Sequence, residues 1–268
     1  MNVKKLRLGL IGKDVSKSDS ERIHRFLLNE FGVECEYERI SAAPEEFDSC
    51  IRWFLGDFDG FNVTIPYKKD IMEYLDGVSD EASSFGAVNT VVSGTRFGDN
   101  TDGKGFLLML ARAGVEVKNK KALVLGGGGS GRSTALTLKR AGATVFMYQR
   151  TKSSLLETCE QLGIFPVDDP ETGEYDLLVN CTGVGMHDSV GKSPVGENAF
   201  RGVKTAVDLI YQPQKSEFLR LAEKKGASIL NGEAMLFYQA YYSDCLYLGI
   251  IPDEKQAEEF YKKYLLDR

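Results

Sequence analysis

Leu123-Val-Leu-Gly-Gly-Gly-Gly-Ser-Gly-Arg132 is the stretch that decides the fold. An apolar run ends in glycines, and Ser133 to Arg140 then reads as a helix. Gly126, Gly128 and Gly131 fall on the G-x-G-x-x-G spacing. In a strand-turn-helix setting, glycines permit a tight turn and let a pyrophosphate lie against main-chain N–H groups. The helix N-terminus behind them adds partial positive charge. Glycine runs also make plain loops, so the context decides. With a strand before, a helix after and a second strand at Ala143–Tyr148, the stretch is a βαβ unit of about 30 residues and predicts a nucleotide-binding turn.

Working outward, the second half keeps a strand-helix rhythm. Strands are expected at Ala122–Leu125, Thr144–Tyr148, Leu177–Asn180, Thr205–Leu209 and Ser228–Leu230, with helices between them. Such alternation predicts a parallel sheet covered on both faces. The first half alternates too. Leu6–Ile11, Cys35–Ile40 and Gly60–Ile65 read as strands, and Val88–Val92 with Thr95–Asp99 as a hairpin around Ser93-Gly94. Ser20 is placed to cap a helix whose apolar positions are Ile23, Phe26, Leu27 and Phe31. Pro44 opens a helix ending near Gly56, Pro66 opens another to about Leu75, and Asp102 a third, stopped by Gly114. Ala234–Leu248 and Glu254–Leu265 are terminal helices with no strand after them, and so are expected to run back to the first domain.

The whole chain sets bounds on function. Its 268 residues, 43% hydrophobic and 27% charged, suit one large or two modest globular domains. A net charge of −6 argues against nucleic acid as the main partner. The 5 cysteines are scattered, odd in number and lack C-x-x-C spacing, which favours reduced cytoplasmic thiols over a disulfide frame or a zinc site. Lys4, Lys5 and Arg7 precede an apolar run, Leu8–Ile11, too short for a signal peptide, and nothing approaches a membrane span. A small-molecule partner is expected, with neither nucleic acid, membrane nor metal.

Three polar constellations could carry chemistry. In Asn62-Val-Thr-Ile-Pro-Tyr-Lys68, a strand ends in polar groups, proline forces a break and Lys68 projects from the first turn of a helix, where α/β domains bind ligands; a solvated surface lysine is the plainer reading. In Gly98-Asp-Asn-Thr-Asp-Gly103, Asp102 is either a helix cap or a carboxylate that holds a lysine or takes a hydroxyl proton. Asn89 is a further polar group at a strand edge. Ser18 and Ser20 stand just before a helix, where hydroxyls and N–H groups offer a carboxylate site, or simply a cap. At Tyr148-Gln-Arg-Thr-Lys152 the second strand of the dinucleotide unit ends without an acid. Arg150 and Lys152 can meet a 2′-phosphate there, which favours NADP over NAD. With only His24 and His187, no histidine-based dyad is expected and hydrolase chemistry falls behind.

Taken together and in order, these motifs resemble the shikimate dehydrogenase family. That family carries G-x-x-x-x-H-S-x-S-P-x-x-H, N-V-T-x-P-x-K, G-A-V-N-T, G-D-N-T-D-G, a G-x-G-G loop, N-R-T, N-x-T-x-x-G-M, D-x-x-Y-x-P and G-x-x-M-L-x-x-Q-A. The counterparts here are Gly12 to His24, Asn62 to Lys68, Gly86 to Thr90, Gly98 to Gly103, Gly126 to Gly129, Gln149 to Thr151, Asn180 to Met186, Asp208 to Pro213 and Gly232 to Ala240. The resemblance implies an α/β fold of two domains separated by a cleft. Residues 1–103 plus 235–268 would bind substrate, and residues 104–234 would form a Rossmann NADP-binding domain. It also implies NADPH-dependent reduction of 3-dehydroshikimate to shikimate in aromatic amino-acid biosynthesis, by a monomer or homodimer.

Carried over by position, Lys68 and Asp102 would be the catalytic pair, and Ser18 and Ser20 would hold the substrate carboxylate. Thr64, Asn89, Tyr211 and Gln239 would contact the ring hydroxyls. Gly126, Gly127, Gly128, Gly129, Ser130, Gln149, Arg150, Thr151, Lys152, Leu209 and Gly232 would line the cofactor. Where the family has histidine and proline around its serines, this chain has Lys17 and Glu21; where it has asparagine and a second arginine in the cofactor loop, Gln149 and Ser154 stand here. These departures leave a quinate or aminated-shikimate dehydrogenase as the alternative. A non-catalytic dinucleotide sensor is the rival from another class.

Overall fold

Gly9 and Phe54 show how the first sheet is built. A β-carbon on Gly9 would fall 2.4 Å from the Phe54 ring, so a helix side chain lies directly on the strand backbone. The structure is a computed structural model and describes residues 5–267; Lys4 of the basic N-terminal cluster lies outside the described residues. The chain divides into two compact units, Met1–Gly105 with Leu236–Arg268, and Phe106–Met235.

In the first unit the elements are β1 (Lys5–Gly12), α1 (Ser20–Glu30), β2 (Glu34–Ser41), α2 (Phe47–Asp57), β3 (Gly60–Val63), β4 (Gly77–Val78), α3 (Asp80–Phe85), β5 (Thr90–Val92), β6 (Phe97–Asp99) and the start of α4 (Asp102–Arg112). The strands form one sheet in the order β2-β1-β3-β5-β6-β4. Leu6, Leu8 and Leu10 alternate onto one face with Leu28, Tyr37 and Tyr247, while Ile11, Phe61 and Val63 pack with Ile51 and Phe54 on the other. The hairpin expected around Ser93-Gly94 is present, as β5 and β6. β1 runs parallel to β2 and β3, whereas β5 is antiparallel to β3 and to β6; a short 3-10 turn at Ser93–Thr95 returns the chain from β5 directly into β6.

Two local expectations also change. No α-helix follows Pro66: residues 65–69 are turns and a 3-10 helix spans Asp70–Tyr74. The Lys68 carbonyl accepts from Val88 N at 2.7 Å, so that group is spent on a neighbouring segment rather than on a helical ladder. Ser20 is the first residue of α1 instead of its cap, which falls on Asp19 without a side-chain bond.

The second unit contains β7 (Lys121–Leu125), α5 (Gly129–Arg140), β8 (Thr144–Tyr148), α6 (Lys152–Leu162), β9 (Phe165–Pro166), β10 (Leu177–Asn180), β11 (Thr205–Asp208), α7 (Glu217–Lys224) and β12 (Ser228–Asn231). Its strands lie in the order β12-β11-β10-β7-β8-β9, all parallel. Numbered within the unit, that is the 3-2-1-4-5-6 order of the doubly wound dinucleotide fold. α5 begins at Gly129, earlier than the Ser133 expected, because small residues let the first turn wind directly out of the glycine loop. Leu123, Leu125, Leu178, Ala206, Phe200 and Phe218 belong to its core. α8 (Glu233–Leu248) and α9 (Glu254–Leu266) return the chain to the first unit, where the Phe237 ring meets Phe26 of α1.

Candidate active site

Parallel pairing of β1 with β3 brings two loops to the same end of the first sheet. Thr64 N donates to Ile11 O at 2.9 Å and Lys13 N to Ile65 O at 3.0 Å, so the segment after β1 and the one after β3 start side by side. The first carries Ser18 and Ser20; the second carries Thr64 and Lys68. Asn89 stands just before β5 and Asp102 opens α4.

The Lys68 ammonium donates to Asp102 Oδ2 at 2.6 Å, and both side chains are mostly buried. The other oxygen of Asp102 accepts from Asn89 Nδ2 at 2.8 Å. Asn89 is itself fixed: its Oδ1 accepts from Thr101 N at 2.9 Å and from the Thr90 hydroxyl at 2.9 Å. Its Nδ2 also reaches Thr101 Oγ1 at 3.0 Å and Gln239 Oε1 on α8 at 3.4 Å. Asn100 Oδ1 takes the Asp102 amide at 3.1 Å and starts the helix. Both oxygens of the carboxylate are thus held, and its lysine is aimed by a short charge-assisted bond. Ser18 donates to the Ser20 hydroxyl at 3.0 Å and accepts from Ser20 N at 3.2 Å, so those two hydroxyls converge.

Behind these groups lies a layer to which sequence reasoning assigned no task. Asn62 Nδ2 reaches Asn89 O at 3.2 Å, Thr90 Oγ1 at 3.3 Å and Ser243 Oγ at 3.3 Å, while its Oδ1 accepts from the Tyr37 hydroxyl at 3.1 Å. The usable signal was an amide inside the apolar run Gly-Phe-Asn-Val, since a buried polar side chain must find partners. The expectation that no histidine dyad exists is also corrected. His24 Nδ1 lies 2.6 Å from Asp244 Oδ1, with both side chains fully buried. Burial pushes the Asp244 carboxyl above its ordinary value, with His24 opposing.

In the second unit the glycine loop has the shape a pyrophosphate needs. Gly126 has φ of 102°, a conformation that L side chains avoid, and its amide donates to Tyr148 O at 2.8 Å. A β-carbon on Gly131 would sit 1.9 Å from Gly126 O, so the helix presses on the turn and only glycine fits. Gly128 caps α5 without a side-chain bond, and the first-turn amides at Gly129, Ser130 and Gly131 form the N-terminal end of that helix. Leu209 and Gly232 are neighbours: a β-carbon on Gly232 would meet Leu209 O at 2.1 Å. Gln149 Nε2 donates to Thr151 O at 3.0 Å and Ser154 Oγ at 2.7 Å, closing the loop after β8. On that loop Arg150 is exposed, and Lys152 meets Asp168 at 3.1 Å. Tyr211 follows β11 in this unit and is half-buried. The residues present fit a dinucleotide: a glycine turn in which Gly126 has a left-handed backbone and Gly131 leaves no room for a β-carbon, a bare helix N-terminus and a basic segment after the second strand.

Nucleophilic cysteine chemistry finds little support. Burial pushes the Cys35, Cys181 and Cys245 thiols up to about 12, which disarms them as nucleophiles. Among the described residues no cluster of side chains could hold a metal ion, and no helix is long and apolar enough to cross a membrane.

Fold and site together define a dinucleotide-binding oxidoreductase of two α/β units. Residues 10–91 match the model of the shikimate dehydrogenase substrate binding domain. The shikimate dehydrogenase (NADP(+)) of a Thermus thermophilus strain is 38% identical, over 97% of this chain and 99% of its own length. That of Caldicellulosiruptor bescii is 40% identical, over 91% and 90%. The crystal structure of Thermus thermophilus shikimate 5-dehydrogenase, in complex with NADP(H) and shikimate, superposes with a TM-score of 0.89 at 37% identity, covering 96% of this chain and 99% of that one. The chain belongs to the shikimate dehydrogenase family.

Proposed function

We propose that this protein catalyses the reversible NADPH-dependent reduction of 3-dehydroshikimate to shikimate, with Lys68 and Asp102 as its catalytic pair. The observation that carries the reading is the 2.6 Å bond between those side chains, with the second carboxylate oxygen held by the Asn89 amide. The relatives' activity and the ligands of the Thermus structure point the same way.

Each group then has a task. Bound NADPH supplies the hydride. Lys68 donates its proton, or a hydrogen bond, to the carbonyl oxygen being reduced, and takes the proton back in the reverse direction. Asp102 orients the ammonium, and Asn89 holds Asp102. Ser18 and Ser20 bind the substrate carboxylate, while Thr64, Asn89, Tyr211 and Gln239 select the ring hydroxyls. The Gly126–Ser130 turn takes the pyrophosphate, Arg150 and Lys152 the 2′-phosphate, and Gln149, Thr151, Leu209 and Gly232 shape the rest of the cofactor site. Residues 1–103 plus 235–268 serve as the substrate-binding domain and residues 104–234 as the NADP domain. With its 5 cysteines free, the protein works in the cytoplasm on this reading, as a monomer or homodimer.

Lys17 and Glu21 beside the serines keep quinate and aminated shikimate as second candidates. The deciding experiment measures shikimate and quinate oxidation side by side, each with NADP and with NAD. A higher kcat/KM for shikimate with NADP is expected. Preference for quinate would overturn the substrate assignment, and no turnover with any pair would leave the dinucleotide sensor.

A further inference from the structure

We propose that Arg39 is a positioning residue for the substrate carboxylate and that Glu21 moderates its charge; this rests on reading Ser18 and Ser20 as the carboxylate site. The loop from Lys13 to Asp19 must present the Ser18 hydroxyl to that of Ser20, the first residue of α1. A proline after the second serine would fix the backbone there, but this chain has Glu21. The loop is braced from β2 instead. Arg39 Nη1 donates to Ser16 O at 2.9 Å and to Ser18 O at 3.1 Å, so one guanidinium nitrogen ties two carbonyls of the loop. Arg39 Nε faces Glu21 Oε2 at 3.2 Å.

The other oxygen of Glu21 takes Arg25 Nε at 3.1 Å, and Arg25 Nη1 in turn reaches Cys35 O at 2.8 Å. Strand alternation explains the placement. Tyr37 and Arg39 share a face of β2, and Tyr37 stacks on His24 of α1, which sets Arg39 beside the helix's first turn. A planar guanidinium with five donors can serve two carbonyls and a carboxylate together; an ammonium lacks that fixed fork.

Two effects follow, and they have opposite dependence on Glu21. Arg39 orders the loop, and it adds positive charge close to where an anion binds. Glu21 strengthens the first through its bond and weakens the second by neutralisation. Glu21 thus offsets part of the positive charge that Arg25 and Arg39 bring beside the serines.

The test is steady-state kinetics of 3-dehydroshikimate reduction at saturating NADPH, with thermal melting of each variant alongside. Arg39→Gln should raise KM about tenfold and leave kcat within about twofold, while Arg39→Lys, which keeps the charge but loses the fork, falls between it and the parent. Glu21→Gln should lower KM or leave it unchanged. Arg39→Lys carries the test should Arg39→Gln fail to fold. KM within twofold of the parent in both Arg39 variants would overturn the proposal, as would a kcat loss matching the KM change. A rise in KM for Glu21→Gln as large as that for Arg39→Gln would overturn the charge assignment. Ser18→Ala and Ser20→Ala in the same assay separate the two levels. If they raise KM while Arg39→Gln does not, the serine site stands and the role of Arg39 falls; if they leave KM unchanged, the carboxylate reading falls and this inference with it.

Discussion

His24 Nδ1 and Asp244 Oδ1 lie 2.6 Å apart in the interior although 220 positions separate them in the chain. The bond ties α1, beside the candidate carboxylate loop, to α8, which also carries Gln239. The His24 ring stacks on Tyr37, with centroids 5.0 Å apart, and Tyr37 bonds Asn62. His24 Nε2 and Asp244 Oδ2 have no hydrogen-bond partner, so each residue depends on the other. Removing one partner strands a buried polar or charged group, which typically costs about 3–5 kcal/mol. Asp244→Ala is therefore expected to lower the urea midpoint sharply. The double variant His24→Leu with Asp244→Leu should be milder, since nothing is left unpaired. Equal losses for single and double variants would show that packing, and not the pair, carries the stability.

Lys68→Met tests the catalytic pair. Methionine keeps the stem's bulk and removes the ammonium. Turnover is expected to fall at least about a hundredfold, the scale of lost general acid catalysis, while NADPH affinity measured by fluorescence titration is retained. Asp102→Asn should lower kcat in the same direction, because an amide cannot aim the ammonium as a carboxylate does. Near-normal turnover of Lys68→Met would remove the lysine from the mechanism.

Arg150 is exposed on the loop after β8, the position where doubly wound folds distinguish a ribose hydroxyl from a phosphate. A charged hydrogen bond is worth about 1.5–3 kcal/mol, or roughly a ten- to hundredfold change in affinity. Arg150→Ala should therefore raise the Kd for NADP by that factor and barely move the Kd for NAD. Equal losses for the two cofactors would show that Arg150 does not read the phosphate.

The glycine turn at Gly126 to Gly131 was legible because its spacing, flanking strand and following helix express one local geometry. Periodicity placed α2, α9 and the longer strands of the second unit for the same reason, but not the two-residue strand β9 (Phe165–Pro166), too short to show any period. What stayed hidden was non-local. Nothing near His24 in the sequence announces Asp244, and no periodicity marks Arg39 as the brace of a loop that ends some twenty positions earlier. The β5–β6 hairpin was legible from its tight turn, but the antiparallel pairing of β5 with β3 was not, because the long connection between them carries no signal of direction. The turn at Lys68 read as helix because its carbonyl's partner, Val88, lies on another segment.

Asp99 shows how acid should act on the segment that presents Asp102. The side chain is almost fully buried, and burial alone pushes its carboxyl up. The Lys104 ammonium at 2.8 Å, the Ser79 hydroxyl and the Asn100 amide at 2.7 Å outweigh that push and hold it below the usual carboxylate value. A group whose folded pKa is lowered stabilises the fold above its unfolded value, about 3.9 for aspartate, and loses that contribution as pH falls through the folded one. Because Lys104 is partly exposed, solvent discounts the ion pair, and the hydrogen bonds carry most of the effect. Asp99→Asn is expected to lower stability at pH 7 by about 1–3 kcal/mol. It should also flatten the fall in stability on acidification below about pH 4, where the parent loses this contribution and the variant has none to lose. Urea midpoints of both proteins across that acid range check the point: parallel acid profiles would place the titrating group elsewhere.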